Sequence, residues 1–153
     1  MADHDTTNNE TPIDLDAIKE EWIGTEFDLT TFTVERDKML LWARSVGEND
    51  PRFVDPDHDD FQAHPTYSTS LVSRRALPKD FPRLGKNGID GGKAVENFVP
   101  IREGDTLRGA ATIAEIYPKT GRSGTMIFVV QRMTFHNQND EHVANVDWRM
   151  IRN

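Results

Sequence analysis

The sequence predicts an α+β domain built on an antiparallel sheet. Two observations carry that class. Helical periodicity is confined to the first third of the chain, and the second half is filled by long alternating stretches separated by turn residues. Between them lies a stretch dense in proline and aspartate that favours turns over regular structure.

Taken in order, Asp14 to Trp22 reads as a short helix, with Ile13, Ala17, Ile18 and Trp22 at helical spacing, acidic residues near its start and Gly24 after its end. Glu26 to Phe32 alternates, with Phe27 and Leu29 on one side, as a half-buried strand does. Thr33 is the predicted N-cap of a second helix running to about Val46. Glu35 and Asp37 lie early in it, Leu40, Ala43 and Val46 form its apolar stripe, and Gly47 closes it. Asn49 to Pro65 is loop, with Asp50-Pro51 and Asp55-Pro56 as turn signals.

Thr66 to Leu77 fits helix or strand, and Pro78 and Pro82 end it. Gly85, Gly88, Gly91 and Gly92 predict a turn, followed by a strand from Lys93 to Val99. Asp105 to Tyr117 is the next strand, with a turn at Pro118 to Gly124. Thr125 to Phe135 and His142 to Ile151 are the last two strands, joined by a hairpin at Asn137 to Asp140. Residues 13–153 form one domain, with no internal repeat. Residues 1–12 lack an apolar run and are expected to be a solvated acidic tail, without the basic and apolar regions of a secretory signal.

Composition excludes several classes. At 153 residues the chain suits one core better than two. A net charge of −8 argues against nucleic acid, whose phosphates need a basic face. No apolar run approaches the roughly 18 residues of a membrane span. The absence of cysteine removes disulfides, thiol nucleophiles and thiolate metal sites, and a cytoplasmic location is the expectation. His4 lies in the tail, and His58, His136 and His142 lack ligand-like spacing, so no metal site is expected. The glycines of Gly88 to Gly92 do not have the spacing of a phosphate loop.

From about Trp22 to Asn153 the chain resembles the hot-dog fold of the MaoC-like (R)-specific enoyl-CoA hydratases and 3-hydroxyacyl dehydratases, and within them the N-terminal dehydratase type related to fungal fatty-acid synthase. Four segments carry the resemblance: Gly47-Glu48-Asn49-Asp50-Pro51-Arg52-Phe53-Val54-Asp55-Pro56 directly after a helix, Ala63-His64-Pro65-Thr66-Tyr67, Phe98 to Leu107 with its Pro-x-x-x-Gly-Asp-x-Leu frame, and the hairpin Asn137 to Ala144. The resemblance implies a long central helix wrapped by a curved antiparallel sheet.

In active members the family loop is similar to Gly-Asp-x-Asn-Pro-x-His. Its Asp and His activate water for addition across the double bond of an enoyl thioester, and backbone N–H groups at a helix start polarise the thioester carbonyl. Matched position by position, Glu48 falls on the Asp, Asp50 on the Asn, Pro51 on the proline and Phe53 on the His. Phenylalanine transfers no proton, and positioned acid–base groups supply on the order of 10²- to 10⁴-fold in rate.

The resemblance therefore points to the pocket-forming subunit of a heteromeric hydratase, with a second hot-dog chain supplying the Asp and His. The substrate would be an acyl-CoA or an acyl carrier thioester, and no separate cofactor is needed. Such a sheet leaves an edge strand that a second domain, heteromeric or a copy of this chain, would cover.

Phe53, Pro65, Thr66 and Tyr67 are the candidate substrate contacts. Arg74, Arg75 and Lys86, in the one basic neighbourhood of the chain, are the candidates for coenzyme A phosphates. Two other readings remain open. A self-sufficient homodimeric hydratase would use Glu48, or Asp59 with His64, whose spacing repeats the family's Asp-x-x-x-x-His; Asp50 is a further carboxylate candidate. The other reading is a non-enzymatic acyl-thioester binding module.

Overall fold

The structure, a computed structural model, describes residues 13–122 and 124–153, so the expected tail at 1–12 lies outside the described residues. Helix α1 spans Leu15–Trp22, strand β1 Glu26–Thr33, helix α2 Arg36–Ser45 and the one-turn helix α3 Pro51–Val54. A 3-10 turn at Tyr67–Ser70 follows. The chain then runs through β2 (Gly88–Asn97), β3 (Thr106–Gly121), β4 (Gly124–His136) and β5 (His142–Arg152). The strands form one five-stranded sheet in the order β1-β3-β4-β5-β2, antiparallel throughout.

Local chemistry explains the boundaries. Asp14 caps α1 by accepting from the Ala17 N–H at 3.1 Å. The cap of α2 is Glu35 and not the expected Thr33, which is the last residue of β1, paired with Thr106. The Glu35 carboxylate instead binds Lys38 at 2.6 Å. Helix α2 packs against the sheet through Met39 and is ten residues long. The stretch from Thr66 to Leu77 forms no longer helix. The Thr69 hydroxyl donates to the Thr66 carbonyl and the Ser70 hydroxyl to the Tyr67 carbonyl, each at 2.7 Å, so side chains take acceptors that a helix would use.

Strand β2 begins at Gly88, earlier than expected, because the glycine cluster is a bulge within the strand and not a turn before it. The register shifts between Asp90 and Lys93. A Cβ on Gly91 would lie 2.8 Å from the Arg149 carbonyl oxygen, and Gly92 has φ +85°. Strand β3 runs on to Gly121, beyond the expected strand end at Tyr117 and into the expected turn at Pro118 to Gly124. Proline is tolerated there because β1 leaves β3 at Thr112, so Pro118 sits where only β4 is a neighbour.

One face of the sheet carries the core. Met39 of α2 packs with Val34, Ala63, Tyr67, Leu107, Ala111, Met133, Phe135 and Val146. A second cluster, Leu84, Ile113, Ile116, Val129 and Met150, is covered by Leu15, Ile18 and Trp22 of α1. Phe27 touches both clusters. Each buried side chain of this kind contributes roughly 1.5–3 kcal/mol. Strand β2 lies at the sheet edge and is exposed along nearly its whole length. No helix of the described residues is long and apolar enough to cross a membrane.

Candidate functional site

The site begins at the C-terminus of α2. Gly47 has φ +74°, its N–H donates to the Arg44 carbonyl, and the next N–H, that of Glu48, reaches back to the Ala43 carbonyl at 3.0 Å. This is a Schellman closure, and it turns the chain so that Glu48 projects immediately beyond the helix. The Glu48 carboxylate then folds over its own backbone: Oε1 accepts from the N–H groups of Asn49 at 2.7 Å and Asp50 at 2.8 Å. Those bonds, Asp50 first, hold the Glu48 carboxyl below its ordinary value, with the nearby His64 adding a smaller pull in the same direction.

Asp50 caps α3, with Pro51 in the first helical position. Its carboxylate accepts from the Arg52 N–H and binds the Arg52 guanidinium, with a shortest contact of 2.7 Å. It thus serves the turn. α3 turns Phe53 inward, where it is buried. The return of the chain is fixed by two backbone bonds, Gln62 N–H to the Arg52 carbonyl and Ala63 N–H to the Ile101 carbonyl. They deliver His64 edge-on to the Phe53 ring at 5.4 Å between centroids.

The sequence set His64 beside Asp59, but the fold sets it beside Glu48. His64 Nε2 lies 3.2 Å from Glu48 Oε2, while Asp59 is exposed. On the other side of the ring, Nδ1 accepts from the Thr66 N–H at 3.2 Å and lies 2.8 Å from the Thr66 hydroxyl. The indole N–H of Trp42 donates to that hydroxyl oxygen at 3.0 Å, which leaves the hydroxyl proton for Nδ1. This network assigns the imidazole proton to Nε2, on the Glu48 side. Trp42 and the Glu48–His64 pairing were not foreseen. The one signal for them was that Trp42 and Glu48 flank the end of the same helix.

Two cavities flank this network. The smaller, about 160 Å³, is lined by Gln62, His64, Pro65, Asn97, Phe98 and Ile101. Asn97 closes it by donating to the Pro65 carbonyl at 2.8 Å. The larger is an apolar groove of about 660 Å³ between α2 and the 3-10 turn, lined by Phe32, Leu41, Trp42, Tyr67, Leu71 and Val72, with Lys38 on its wall. Trp42 and Tyr67 belong to the groove, and the Trp42–Thr66–His64 bonds connect it to the polar pair. Of the four expected substrate contacts, Tyr67 lines the groove and Pro65 the smaller cavity. Thr66 bridges Trp42 and His64, and Phe53 supports the imidazole.

The basic candidates part company. Arg74 is bound to Asp28 through its side chain, at 2.6 and 2.9 Å, and through its backbone N–H, at 2.8 Å. Arg75 is exposed, and its carbonyl accepts from Gln131 at 3.0 Å. Lys86 lines a separate cleft, with Arg83 and Arg152. Among the described residues no group of three or more histidine or carboxylate side chains could hold a metal ion.

At residues 65–67, which lead into the 3-10 turn, the backbone donors that could polarise a carbonyl are also accounted for. Pro65 has no N–H, the Thr66 N–H binds His64 Nδ1, and the Tyr67 N–H binds the His64 carbonyl at 2.8 Å. The pair itself is closed as well. One Glu48 oxygen holds two backbone donors and the other faces His64, whose remaining nitrogen is engaged by Thr66.

The family model of the FAS1-like dehydratase domain region matches residues 21–146. Among solved structures the chain is similar to the ChsH1–ChsH2 complex of Mycobacterium tuberculosis, with 20% identity and a TM-score of 0.64 over 90% of this chain and 88% of that one. It is similar to the C-terminally truncated HadBC (3R)-hydroxyacyl-ACP dehydratase complex of the same organism, with 19% identity and a TM-score of 0.62 over 84% and 96% of the two chains. A MaoC-like dehydratase from Rhodospirillum rubrum gives 20% identity and a TM-score of 0.60 over 84% and 90%. No match was found among curated proteins. Identities at this level show a common fold, and the fold is the hot-dog.

Proposed function

The chain belongs to the family of the FAS1-like dehydratase domain region, and from that premise we propose that it is the pocket-forming subunit of an enoyl-thioester hydro-lyase whose catalytic carboxylate and imidazole come from a second hot-dog chain. The observation that carries this reading is the closed state of the loop from Gly47 to Phe53. The position that matches the family's proton-transferring imidazole holds a buried phenylalanine, and Glu48 and His64 satisfy one another and their neighbours. The lack of an open N–H on residues 65–67 agrees with it, since an enolate oxygen would find no donor there.

In this reading the apolar groove receives the acyl part of the thioester. The partner's carboxylate removes a proton from water as the oxygen attacks the β-carbon, and the partner's imidazole delivers a proton to the α-carbon; dehydration is the reverse. The partner adds to the sheet along β2, whose exposed edge offers unpaired backbone groups. The two mycobacterial neighbours are themselves complexes, which supports an assembly of this kind.

A second reading is favoured by one observation, the 3.2 Å approach of His64 to Glu48 beside a cavity. There the chain would be a homodimeric hydratase with its acid–base pair assembled from two segments. Hydration of crotonyl-CoA and of longer enoyl-CoAs by the purified chain separates the two. The first reading expects no turnover until a hot-dog chain with a complete Gly-Asp-x-Asn-Pro-x-His loop is added. Turnover by the lone chain that is lost in Glu48→Gln would establish the second. Tight acyl-CoA binding with no turnover under either condition would leave a binding module.

A further inference from the structure

The apolar groove between α2 and the 3-10 turn holds one hydroxyl that the fold itself does not use. Its helical wall is built by Lys38, Leu41, Trp42 and Ser45, whose spacing puts them on one face of α2. The polar groups of that wall are spent. The Lys38 ammonium binds the Glu35 carboxylate at 2.6 Å, the Trp42 indole N–H donates to Thr66, and the Ser45 hydroxyl donates to the Trp42 carbonyl at 2.7 Å. On the other wall the Ser70 hydroxyl donates to the Tyr67 carbonyl. Tyr67 differs. It is 2% exposed, and among the described residues it is hydrogen-bonded through its backbone alone. Its phenol hydroxyl is not sealed in the core, as the unpartnered Ser68 hydroxyl is, and it opens into the groove that Tyr67 lines. A desolvated donor left without an acceptor opposes folding, and phenylalanine would fill the same space without that cost.

Electrostatics place the hydroxyl along the groove. Burial holds the phenol above its ordinary value, and Lys38 and Glu35 are both near enough to act on it, in opposite senses. These two residues stand at the start of α2. Trp42 and Ser45 stand toward its end, where the Trp42–Thr66–His64 bonds reach the polar pair. From Lys38 to Ser45 the helix advances about 10 Å at ~1.5 Å per residue. The groove therefore has one end beside His64 and a distal end that carries a neutral hydrogen-bond donor.

We propose that Tyr67 determines specificity: its hydroxyl donates to a neutral oxygen, a ketone or a hydroxyl, on the distal part of the acyl group, so that the substrate is an oxygenated acyl thioester and not a plain hydrocarbon chain. The assignment rests on the reading that the groove receives the acyl part. A plain chain would cover the phenol without replacing its water. A distal carboxylate fits poorly, because Glu35 already neutralises Lys38 at that end. The volume of about 660 Å³ lies among the roughly 300–1,000 Å³ of pockets that take drug-sized ligands, which suits a branched or ring-bearing acyl group. Leu41 and Val72, 69% and 53% exposed, leave an apolar rim for such a group to cover.

The test is calorimetric titration of the full chain, alone and with a second hot-dog chain, using the N-acetylcysteamine thioesters of decanoate, 9-oxodecanoate and 9-carboxynonanoate. Wild type is expected to bind the oxo thioester at least tenfold more tightly than the decanoyl one, and the carboxylate no more tightly than the decanoyl one. Tyr67→Phe should bring the oxo thioester down to the decanoyl affinity. Its melting temperature should equal or exceed that of wild type, since the unpaired donor is gone. Equal binding of the oxo and decanoyl thioesters by wild type, or a preference that survives in Tyr67→Phe, overturns the assignment and leaves the groove as an acyl site. Tightest binding of the carboxylate overturns it too, as does a Tyr67→Phe variant that melts several degrees lower, which would give the hydroxyl a structural partner. If none of the three thioesters binds under either condition, the acyl reading of the groove fails and the assignment falls with it. A Tyr67-dependent preference without hydration of any enoyl thioester in either condition keeps the site and removes the hydro-lyase reading.

Discussion

His64 Nε2 stands 3.2 Å from Glu48 Oε2, so the two residues that the sequence offered as separate catalytic candidates form one contact. The contact joins the end of α2 to the segment that leads into the 3-10 turn. Its electrostatics can be read through pH. The Glu48 carboxyl is held below the ordinary value of 4.5, chiefly by the N–H groups of Asp50 and Asn49. A carboxyl whose folded value is depressed adds stability that is complete above its unfolded value and is lost as pH falls through the folded one. Glu48→Gln should therefore melt at a lower temperature than wild type at pH 7, and the two should converge as the pH drops below 4.5. Differential scanning calorimetry between neutral and acid pH measures this; a gap independent of pH would show that the charge on Glu48 is not what the loop uses.

Gly47 places Glu48, and the cost of replacing it is conformational alone. Its φ is +74°, and no atom lies within 4 Å of where a Cβ would stand. Gly47→Ala should destabilise the fold by about 1–2 kcal/mol in urea titration, the cost of a left-handed L-residue. Gly47→Asn should cost less, because asparagine tolerates that region. An alanine variant as stable as wild type would mean that the helix can end in another way.

Phe53 is the residue that separates this chain from the family's active loop, and it also holds the loop together. It is buried, stacks edge-on with His64 and lies under the Arg52 guanidinium at 5.1 Å. Phe53→Ala should cost about 3 kcal/mol by denaturant unfolding. Phe53→His, which returns an imidazole to the position the family uses, should also destabilise. It should give no measurable hydration of crotonyl-CoA by the lone chain, since residues 65–67 offer no open backbone donor. Turnover from that variant alone would place the missing function in a single side chain.

Much of this fold was legible because its signals are local. The alternation of β4 and β5, the acidic start of α1 and the closing glycine of α2 each depend on residues a few positions apart, and each was found within a few residues of its expected place. The misplaced boundaries had non-local causes. The glycines at 91 and 92 look like a turn until the Arg149 backbone is set against them, and Pro118 looks like a strand end until β1 is seen to stop short of it. The site divides along the same line. Phe53 and Asp50 were readable from the loop itself. The Glu48–His64 contact, by contrast, needs the Ala63-to-Ile101 bond between distant segments, which no spacing in the sequence records.

Asp28 and Arg74 offer the sharpest test of how the segment after the 3-10 turn is held. The Asp28 side chain is 5% exposed on β1, while that of Arg74 is 72% exposed and reaches it from the loop. Burial alone pushes the Asp28 carboxyl up, but the Arg74 guanidinium and backbone N–H, aided by the Thr30 hydroxyl, draw it below its ordinary value. Removing the arginine side chain strands a desolvated carboxylate. Arg74→Ala should cost about 2 kcal/mol at neutral pH, less than the ~3–5 kcal/mol of a fully buried pair because solvent reaches the guanidinium side. The sign with pH follows from the depressed value: the pair's contribution is complete above the ordinary aspartate value of 3.8 and is lost as pH falls through the lower folded one. Replacing Asp28 by Asn in the Arg74→Ala background should recover part of the loss, because the stranded charge is gone. Urea unfolding of the two single variants and the double variant closes this cycle. If the double variant is no more stable than Arg74→Ala, the loop is held by the other contacts of residue 74 and not by the ion pair.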